Sequence, residues 1–215
     1  MGRLSFDRVS VGSLLRYVSF TVNGGEVACV WAPRRTARLA FVHMAAGIEQ
    51  PVSGTVLVEG RLAFARRSWP PIGGQDVLGQ LMLPLLASAR SVSRARASAL
   101  GALCDWGVVE WGGCRLSELE DHELARLALI RALVCDPKVL VVDAPTLGLD
   151  TTEAHVTLEL FRGARERGVA VLVATASVDA MRDADSLYTI SQGTLRGLHA
   201  TRGELLPFVP RTEAG

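Results

Sequence analysis

The feature that most constrains the fold is the run Val139–Val142, in which four consecutive apolar residues are followed at once by Asp143. A short apolar run without polar alternation indicates a strand that is buried on both faces of a parallel sheet. Such a strand delivers the Asp143 carboxylate at the carboxyl edge of the sheet, where ligands bind in open α/β folds. An aspartate at a strand end also caps the turn that follows it, and on this segment alone both interpretations stay open.

Strand and helix patterns alternate along most of the chain. We expect strands at Ser5–Val11, Arg16–Val22, Val27–Trp31, Gly54–Val58, Leu62–Ala65, Lys138–Val142, Ala170–Thr175, Leu187–Ser191 and Thr194–Leu198, and helices at Thr36–Ala46, Asp76–Ala102, Glu118–Leu133, Glu153–Arg167 and Asp179–Asp183. Glu59-Gly60 predicts a hairpin between the fourth and fifth of these strands. Buried strands joined by helical crossovers favour a mainly parallel sheet, with an antiparallel β-subdomain and a helical subdomain at about 76–135. We expect one domain over residues 1–215.

The charge composition is balanced in number and unusual in kind. The net charge is +1, which disfavours a general nucleic-acid binder, and 49% of the residues are hydrophobic, too many for a disordered chain. Of the 23 basic residues only Lys138 is a lysine. Any mechanism that needs a lysine therefore has a single candidate.

Other sequence features point to a reduced compartment. The four cysteines form no CxxC pair and no metal-binding spacing with histidine. The first residues, MGRLSFDRV, lack the apolar stretch of a signal peptide, and no apolar run is long enough to span a membrane. We expect a cytoplasmic protein.

The run Val139–Asp150 reads VLVVDAPTLGLD and resembles the Walker B and D-loop segment of ABC-type ATPases, usually written DEPTSGLD. The preceding RLALIRAL (126–133) is similar to the RVALARAL helix that follows that family's signature sequence. Resemblance in this order covers roughly residues 5 to 198 and implies a P-loop NTPase-like α/β fold. The segment LPLL (83–86) resembles the subgroup that serves lipoprotein-release, macrolide-export and cell-division permeases.

The phosphate loop of this family needs glycines, which let backbone N–H groups reach the phosphates. It also needs a lysine that binds the phosphates and a hydroxyl residue that binds Mg²⁺. The aligned stretch of this chain reads APRRTARLA (32–40). Arg35 stands at a glycine position, Arg38 at the lysine position and Leu39 at a hydroxyl position. The candidate nucleotide-binding residues are Arg34, Arg35, Thr36 and Arg38 in this degenerate loop, and Asp143 at the Walker B position.

Two interpretations of the three arginines stay open. At a helix N-terminus they are able to hold an anion, such as phosphate, an acidic side chain of a partner or a nucleotide in a new pose. Alternatively, they are solvated side chains on a loop that has lost its original use.

The residues that hydrolyse ATP in this family are also replaced. The family's catalytic glutamate aligns with Ala144 and its switch histidine with Ala176. Its signature LSGGQ aligns with LEDHE (119–123), which places carboxylates where the family receives an anion, although an acidic helix N-terminus also complements the helix dipole. The Q-loop glutamine aligns with Arg67 or, with a shift of one residue, Arg66. We expect no catalytic residue and no metal ligand.

The resemblance implies an ABC transporter subunit that docks on a membrane permease at the inner face of the cell membrane, in a homo- or heterodimer with another ABC subunit. The replaced residues imply little or no ATP hydrolysis. The cofactor stays open: ATP with Mg²⁺ if the family function is kept, and otherwise none or a weakly bound one. The alternatives are a regulatory or interaction protein on the ABC fold and an active ATPase with an atypical site.

Overall fold

Nine strands and five α-helices make up the computed structural model over the residues that it describes, which are 2–66, 75–177, 179–181 and 184–198. The strands are β1 (Arg3–Val11), β2 (Leu15–Asn23), β3 (Val27–Trp31), β4 (Ser53–Glu59), β5 (Leu62–Arg66), β6 (Val139–Asp143), β7 (Ala170–Thr175), β8 (Ser186–Ser191) and β9 (Thr194–Leu198). The helices are α1 (Arg35–Ala45), α2 (Val77–Ala87), α3 (Val92–Asp105), α4 (Asp121–Leu133) and α5 (Thr151–Glu166).

Six strands form the main sheet in the order β5-β6-β7-β3-β8-β9. The pairs from β5 to β8 are all parallel, and β9 pairs antiparallel with β8 at one edge. The apolar run that the sequence singles out is β6, and its neighbours β5 and β7 lie on either side of it. The expectation of a mainly parallel sheet is confirmed.

Alternate residues of the central strands enter two separate cores, because successive side chains of a strand point to opposite faces. Leu140 and Val142 of β6 pack with α2, α3, α4 and α5 on one face. Val139 and Val141 pack with α1 and the β-subdomain on the other face. The sheet is therefore covered on both sides, which explains why β6 has no polar alternation.

The β-subdomain is a three-stranded antiparallel sheet in the order β2-β1-β4. Three aromatic rings join it to α1: the ring centroid of Phe41 lies 5.2 Å from that of Phe6 and 5.4 Å from that of Phe20. Such aromatic contacts add to the burial of apolar surface. The sheet and α1 thus form one apolar layer on this face.

The hairpin predicted at Glu59-Gly60 is wrong. β4 pairs antiparallel with β1, whereas β5 pairs parallel with β6 in the other sheet. At Gly60 (φ +99°) the chain crosses from one sheet to the other, and a Cβ there would lie 2.7 Å from the Cβ of Lys138. A glycine with positive φ serves a crossing of this kind as well as a hairpin turn, so the local signal does not distinguish them.

The single helix expected over Asp76–Ala102 is two helices. Between α2 and α3, Ala89 takes a left-handed conformation (φ +59°), and the Ser91 hydroxyl then accepts a hydrogen bond from the Arg94 N–H at the start of α3. A serine at this position begins a new helix. The predicted helix Glu118–Leu133 begins only at Asp121, and the one expected at Asp179–Asp183 is a 3-10 turn over Asp179–Met181, with the rest outside the described residues.

The described helices include none with the length and apolar character needed to cross a membrane.

Candidate functional site

The candidate site lies at the carboxyl edge of the main sheet, as the strand pattern predicts. Asp143 ends β6, and the loop Ala32–Arg34 leads from the end of β3 into α1. α1 lies against β6 and β7 on one face of the sheet, so its first turns come close to the end of β6. Because the carboxyl ends of parallel strands share one edge, residues distant in sequence meet here.

Arg38 and Asp143 form a buried ion pair at this edge. The Arg38 Nε donates a hydrogen bond to the Asp143 Oδ1 at 2.8 Å, and the two side chains are 6% and 14% exposed. The guanidinium that sequence alignment places at the phosphate-binding lysine position is therefore bonded to the chain's own Walker B carboxylate. Charge-assisted hydrogen bonds of this kind are short and strong.

Arg34, Arg35 and Thr36 are exposed at the start of α1. Arg34 occupies the N-cap position but its side chain does not cap the helix, and the first turn contains no acidic residue. Neither Arg34 nor Arg35 forms an ion pair with any residue that the structure describes. The structure thus separates the predicted arginine cluster into a buried, paired Arg38 and two exposed cations.

Alanine occupies the positions that align with the family's catalytic glutamate and switch histidine. Ala144 is buried with φ +45°, and its N–H donates to the Ala174 carbonyl at 2.8 Å. Ala176 follows the end of β7 in a bend and is partly buried. Neither side chain can accept a proton. Arg67 lies outside the described residues, and Arg66 is exposed at the end of β5.

Two positions that align with the family's Mg²⁺ site differ from the family pattern or are already in contact with another residue. Asp143, which aligns with a metal-site carboxylate, is already neutralised by Arg38. Leu39 is partly buried against the apolar core around α1 and has no atom that binds a metal ion. A hard cation of this kind takes oxygen ligands; the Asp143 Oδ1 is bonded to Arg38, and the hydroxyl expected at position 39 is missing.

The acidic segment aligned with the signature sequence forms the N-terminus of α4. The Glu120 N–H donates to the Glu123 Oε2 at 2.8 Å, while the Glu120 side chain is 78% exposed. The His122 Nδ1 lies 3.4 Å from the Glu120 Oε2 and 3.3 Å from the Glu153 Oε1. This imidazole links the start of α4 to the start of α5.

Sequence reasoning missed this link and the Arg38–Asp143 pair. Arg38 and Asp143 are 105 positions apart, and alignment marks Arg38 only as a possible phosphate donor. Two features of the sequence could have indicated the ion pair. Arginine replaces lysine at position 38 of a phosphate loop that has lost its glycines, and the Walker B aspartate, Asp143, is retained. For the His122–Glu153 contact, the signal was the acidic capping pattern of Asp150 and Glu153, which predicts a carboxylate at the start of α5.

Comparison with known proteins shows a consistent set of relatives. The chain is 30% identical over 200 residues to the lipoprotein-releasing system ATP-binding protein LolD of Gluconobacter oxydans, and the match spans 85% of this chain and 87% of that protein. It is 25% identical over 201 residues to an uncharacterized ABC transporter ATP-binding protein of Thermotoga maritima, which covers 86% of each sequence. No protein-family model matches the chain.

Solved structures agree on the fold. A nucleotide-free ATP-binding cassette from an ABC transporter superposes with a TM-score of 0.79 at 18% identity, over 91% of this chain and 90% of that one. The dimeric cassette MJ0796, bound to ADP and phosphate, gives a TM-score of 0.79 at 19% identity, over 92% and 100%. Taken with the LolD match over most of both sequences, this fold shows that the chain belongs to the ATP-binding proteins of ABC transporters.

Proposed function

We propose that this chain is an ABC transporter subunit that docks on a membrane permease and hydrolyses little or no ATP. The buried Arg38–Asp143 ion pair carries the proposal. This ion pair joins the cation at the lysine position, which a working site would offer to phosphate, to the Walker B carboxylate, which a working site would offer to Mg²⁺. The site of this chain is therefore filled by its own side chains.

The electrostatics support this proposal. Phosphoryl transfer depends almost wholly on positioning and on charges placed around the phosphates. To offer Arg38 or Asp143 to Mg²⁺–ATP, the chain must separate a buried ion pair, which leaves a buried charge without its partner at a cost of about 3–5 kcal/mol. Ala144 and Ala176 supply no group that would orient the attacking water once ATP was bound.

The partners are proposed from the relatives. LolD is by its name the ATP-binding protein of a lipoprotein-releasing system, and one solved cassette of this fold is a dimer. We infer a permease of the same kind, a dimeric arrangement with another ABC subunit, and a position on the cytoplasmic face of the membrane. We also propose that residues 1–215 act as one unit, with a helical part at about 76–135.

Phosphate release from Mg²⁺–ATP tests the proposal. The purified chain and its Asp143→Ala variant are assayed in parallel, with an Arg34→Ala/Arg35→Ala variant as a control that leaves the buried pair intact. All three are expected to release phosphate at the same background rate. Wild-type turnover that disappears in Asp143→Ala and persists in the control would contradict the proposal and favour the atypical ATPase.

The alternative is a regulatory protein that uses the ABC fold without a permease. Purification of the chain from membranes after mild detergent extraction distinguishes the two functions. Recovery of a multi-spanning membrane protein in a fixed ratio with the chain supports the docked subunit. A chain that stays in the soluble fraction and brings no membrane protein supports the regulator.

A further inference from the structure

The turn between α2 and α3 forms an exposed end of the helical segment. This surface, here called the basic tip, consists of residues 87–97, and most of its side chains are exposed. The turn joins two helices that pack against each other, so the tip lies at the end of a helical hairpin. Apart from its arginines, the tip consists of serine, alanine and Val92, which is 65% exposed. These small neighbours leave the arginines and Val92 accessible to a flat surface.

All the charged side chains inside this hairpin are positive. Between Asp76, at the N-cap of α2, and Asp105, the last residue of α3, the charged residues are Arg90, Arg94 and Arg96. Without these three arginines the chain has 20 basic and 22 acidic residues, a net charge of −2. The basic tip is therefore a positive surface on a chain whose remainder is slightly acidic.

The arginines of the basic tip have no carboxylate partner within the described ranges. No ion pair there includes Arg90, Arg94 or Arg96, and the Arg90 Nη1 instead donates a hydrogen bond to the Ser98 Oγ at 3.0 Å. At a rise of about 1.5 Å per residue, Asp105 lies roughly 13 Å along α3 from Arg96, beyond the screening length of about 8 Å at physiological salt. The carboxylate at the far end of α3 therefore does not neutralise the tip.

The composition of the basic tip fits an anionic lipid surface better than a nucleic acid. Single-stranded nucleic acids bind to aromatic side chains that lie beside the cations, and residues 77–104 contain no aromatic residue. Guanidinium groups form strong, often bidentate hydrogen bonds with phosphate, the group that lipids present. An exposed valine beside the arginines adds apolar surface of the kind that enters the boundary between headgroups and acyl chains.

We propose that the basic tip binds the anionic headgroups of a phospholipid membrane. Arg94 and Arg96 pair with lipid phosphates, and Val92 enters the headgroup layer. This inference rests on the proposed function, in which a permease attaches the chain to a membrane and the tip supplies a second attachment. A second contact gains from the high effective concentration that the first one creates, so a weak attraction at each arginine is sufficient.

Nuclear magnetic resonance of the full, isotope-labelled chain with bicelles tests the inference, because it detects weak binding and locates it. One set of bicelles contains phosphatidylcholine alone, and the other an equimolar mixture of phosphatidylcholine and phosphatidylglycerol. The backbone amide signals of residues 87–97 are expected to broaden or shift with the anionic bicelles and to stay unchanged with the neutral ones. Raising the salt from about 0.05 M to about 0.5 M is expected to weaken this binding about tenfold, since added ions screen the arginines.

Arg94→Gln/Arg96→Gln is expected to weaken binding to the anionic bicelles about tenfold or more, because each arginine near an anionic membrane strengthens binding about fivefold. Glutamine matches arginine in helix propensity, so α3 is expected to stay folded. Arg34→Gln/Arg35→Gln removes the same charge from two other exposed arginines and is the matched control, expected to bind as the wild type does. Val92→Ser is expected to weaken binding about threefold without a change in charge.

The inference would be overturned by tip signals that anionic bicelles leave unchanged, by changes confined to other residues, or by equal losses of binding in the tip variant and the control. If no bicelle binds, and the tip variant loses a permease that the wild type retains after detergent extraction, the tip binds an acidic protein surface and not lipid. Bicelle binding by a chain that hydrolyses ATP would contradict the proposed function alone. A recovered permease without bicelle binding would contradict the lipid contact alone.

Discussion

Arg38 is 5% exposed and carries a guanidinium cation. A buried cation of this kind needs a counter-charge, and the Asp143 Oδ1 at 2.8 Å supplies it. A lysine would present a single point charge here, whereas arginine binds a carboxylate through a planar set of N–H donors. At the residue scale, the site therefore has a structural role that requires no ligand.

Asp143→Asn is expected to lower the free energy of unfolding by about 3–5 kcal/mol, because it leaves the Arg38 guanidinium buried without a counter-charge. Urea denaturation of the wild type and the variant measures the difference. The double variant Arg38→Met/Asp143→Leu removes both charges and is expected to lose much less. An Asp143→Asn chain as stable as the wild type would contradict a structural ion pair.

Cys29 gives a pH-dependent prediction. Burial raises the pKa of this thiol from its ordinary value of 9.0 to about 12, so the native thiol stays protonated over a range in which the unfolded thiol ionises. The unfolded state then binds fewer protons, and stability falls as pH rises through this window. Between about pH 8 and about pH 10 the wild type is expected to lose about 1.4 kcal/mol more than Cys29→Ala. Equal losses in urea denaturation at the two pH values would contradict it.

At the element scale, the start of α5 gives the D-loop residues a structural role. The Asp150 Oδ1 accepts a hydrogen bond from the Glu153 N–H at 2.8 Å, and the Glu153 Oε2 accepts one from the Asp150 N–H at 2.9 Å. Gly148 takes φ +78° in the turn just before. These contacts form a helix cap that needs no ATP.

Asp150→Ala is expected to lower the free energy of unfolding by about 1 kcal/mol, the usual cost of losing an N-cap side chain. Thermal denaturation followed by circular dichroism measures it, with Thr151→Ala, at the next and also exposed position, as the control. If the two variants unfold at the same temperature, Asp150 does not stabilise α5 by capping it.

The same scale shows how far the sequence alone predicts this fold. The bounds of β3 and β7 are those that the apolar runs predict, because burial on both faces leaves an unbroken apolar pattern. The partner of β4 was not predictable from Gly60, since the choice between a hairpin and a crossing depends on strands that come much later in the chain. Local patterns specify elements better than they specify partners.

The candidate site was also predictable only in part from the sequence. The replaced positions, among them Ala144 and Ala176, follow from alignment with the family, so the sequence identifies which groups are missing. What Arg38 contacts instead depends on how α1 packs against β6, and that packing is set by long-range apolar contacts. The ion pair therefore required the structure.

At the scale of the whole molecule, the chain has the fold of an ATP-binding cassette, while several residues at its carboxyl edge differ from the family's motifs. Residues at the carboxyl edge can differ without loss of the fold, because the two apolar cores that stabilise the fold lie on the faces of the sheet. Restoring one catalytic group in such a chain leaves the other groups missing.

Arg38→Lys is accordingly expected to leave phosphate release from Mg²⁺–ATP at background. Lysine returns the phosphate-binding cation, but Leu39 still offers no metal ligand and Ala144 no carboxylate. The comparison is with a variant that also carries Leu39→Ser, Ala144→Glu and Ala176→His. Turnover in the single variant would show that the lysine alone was missing.

Calorimetric titration of the purified chain with Mg²⁺–ATP, and separately with ATP and a chelator, tests the central claim most directly. The Arg38–Asp143 pair predicts no saturable heat in either titration up to about 1 mM nucleotide, an affinity at which binding is worth only about 4 kcal/mol. Saturable binding with a micromolar dissociation constant that disappears with the chelator would contradict a site closed by its own side chains.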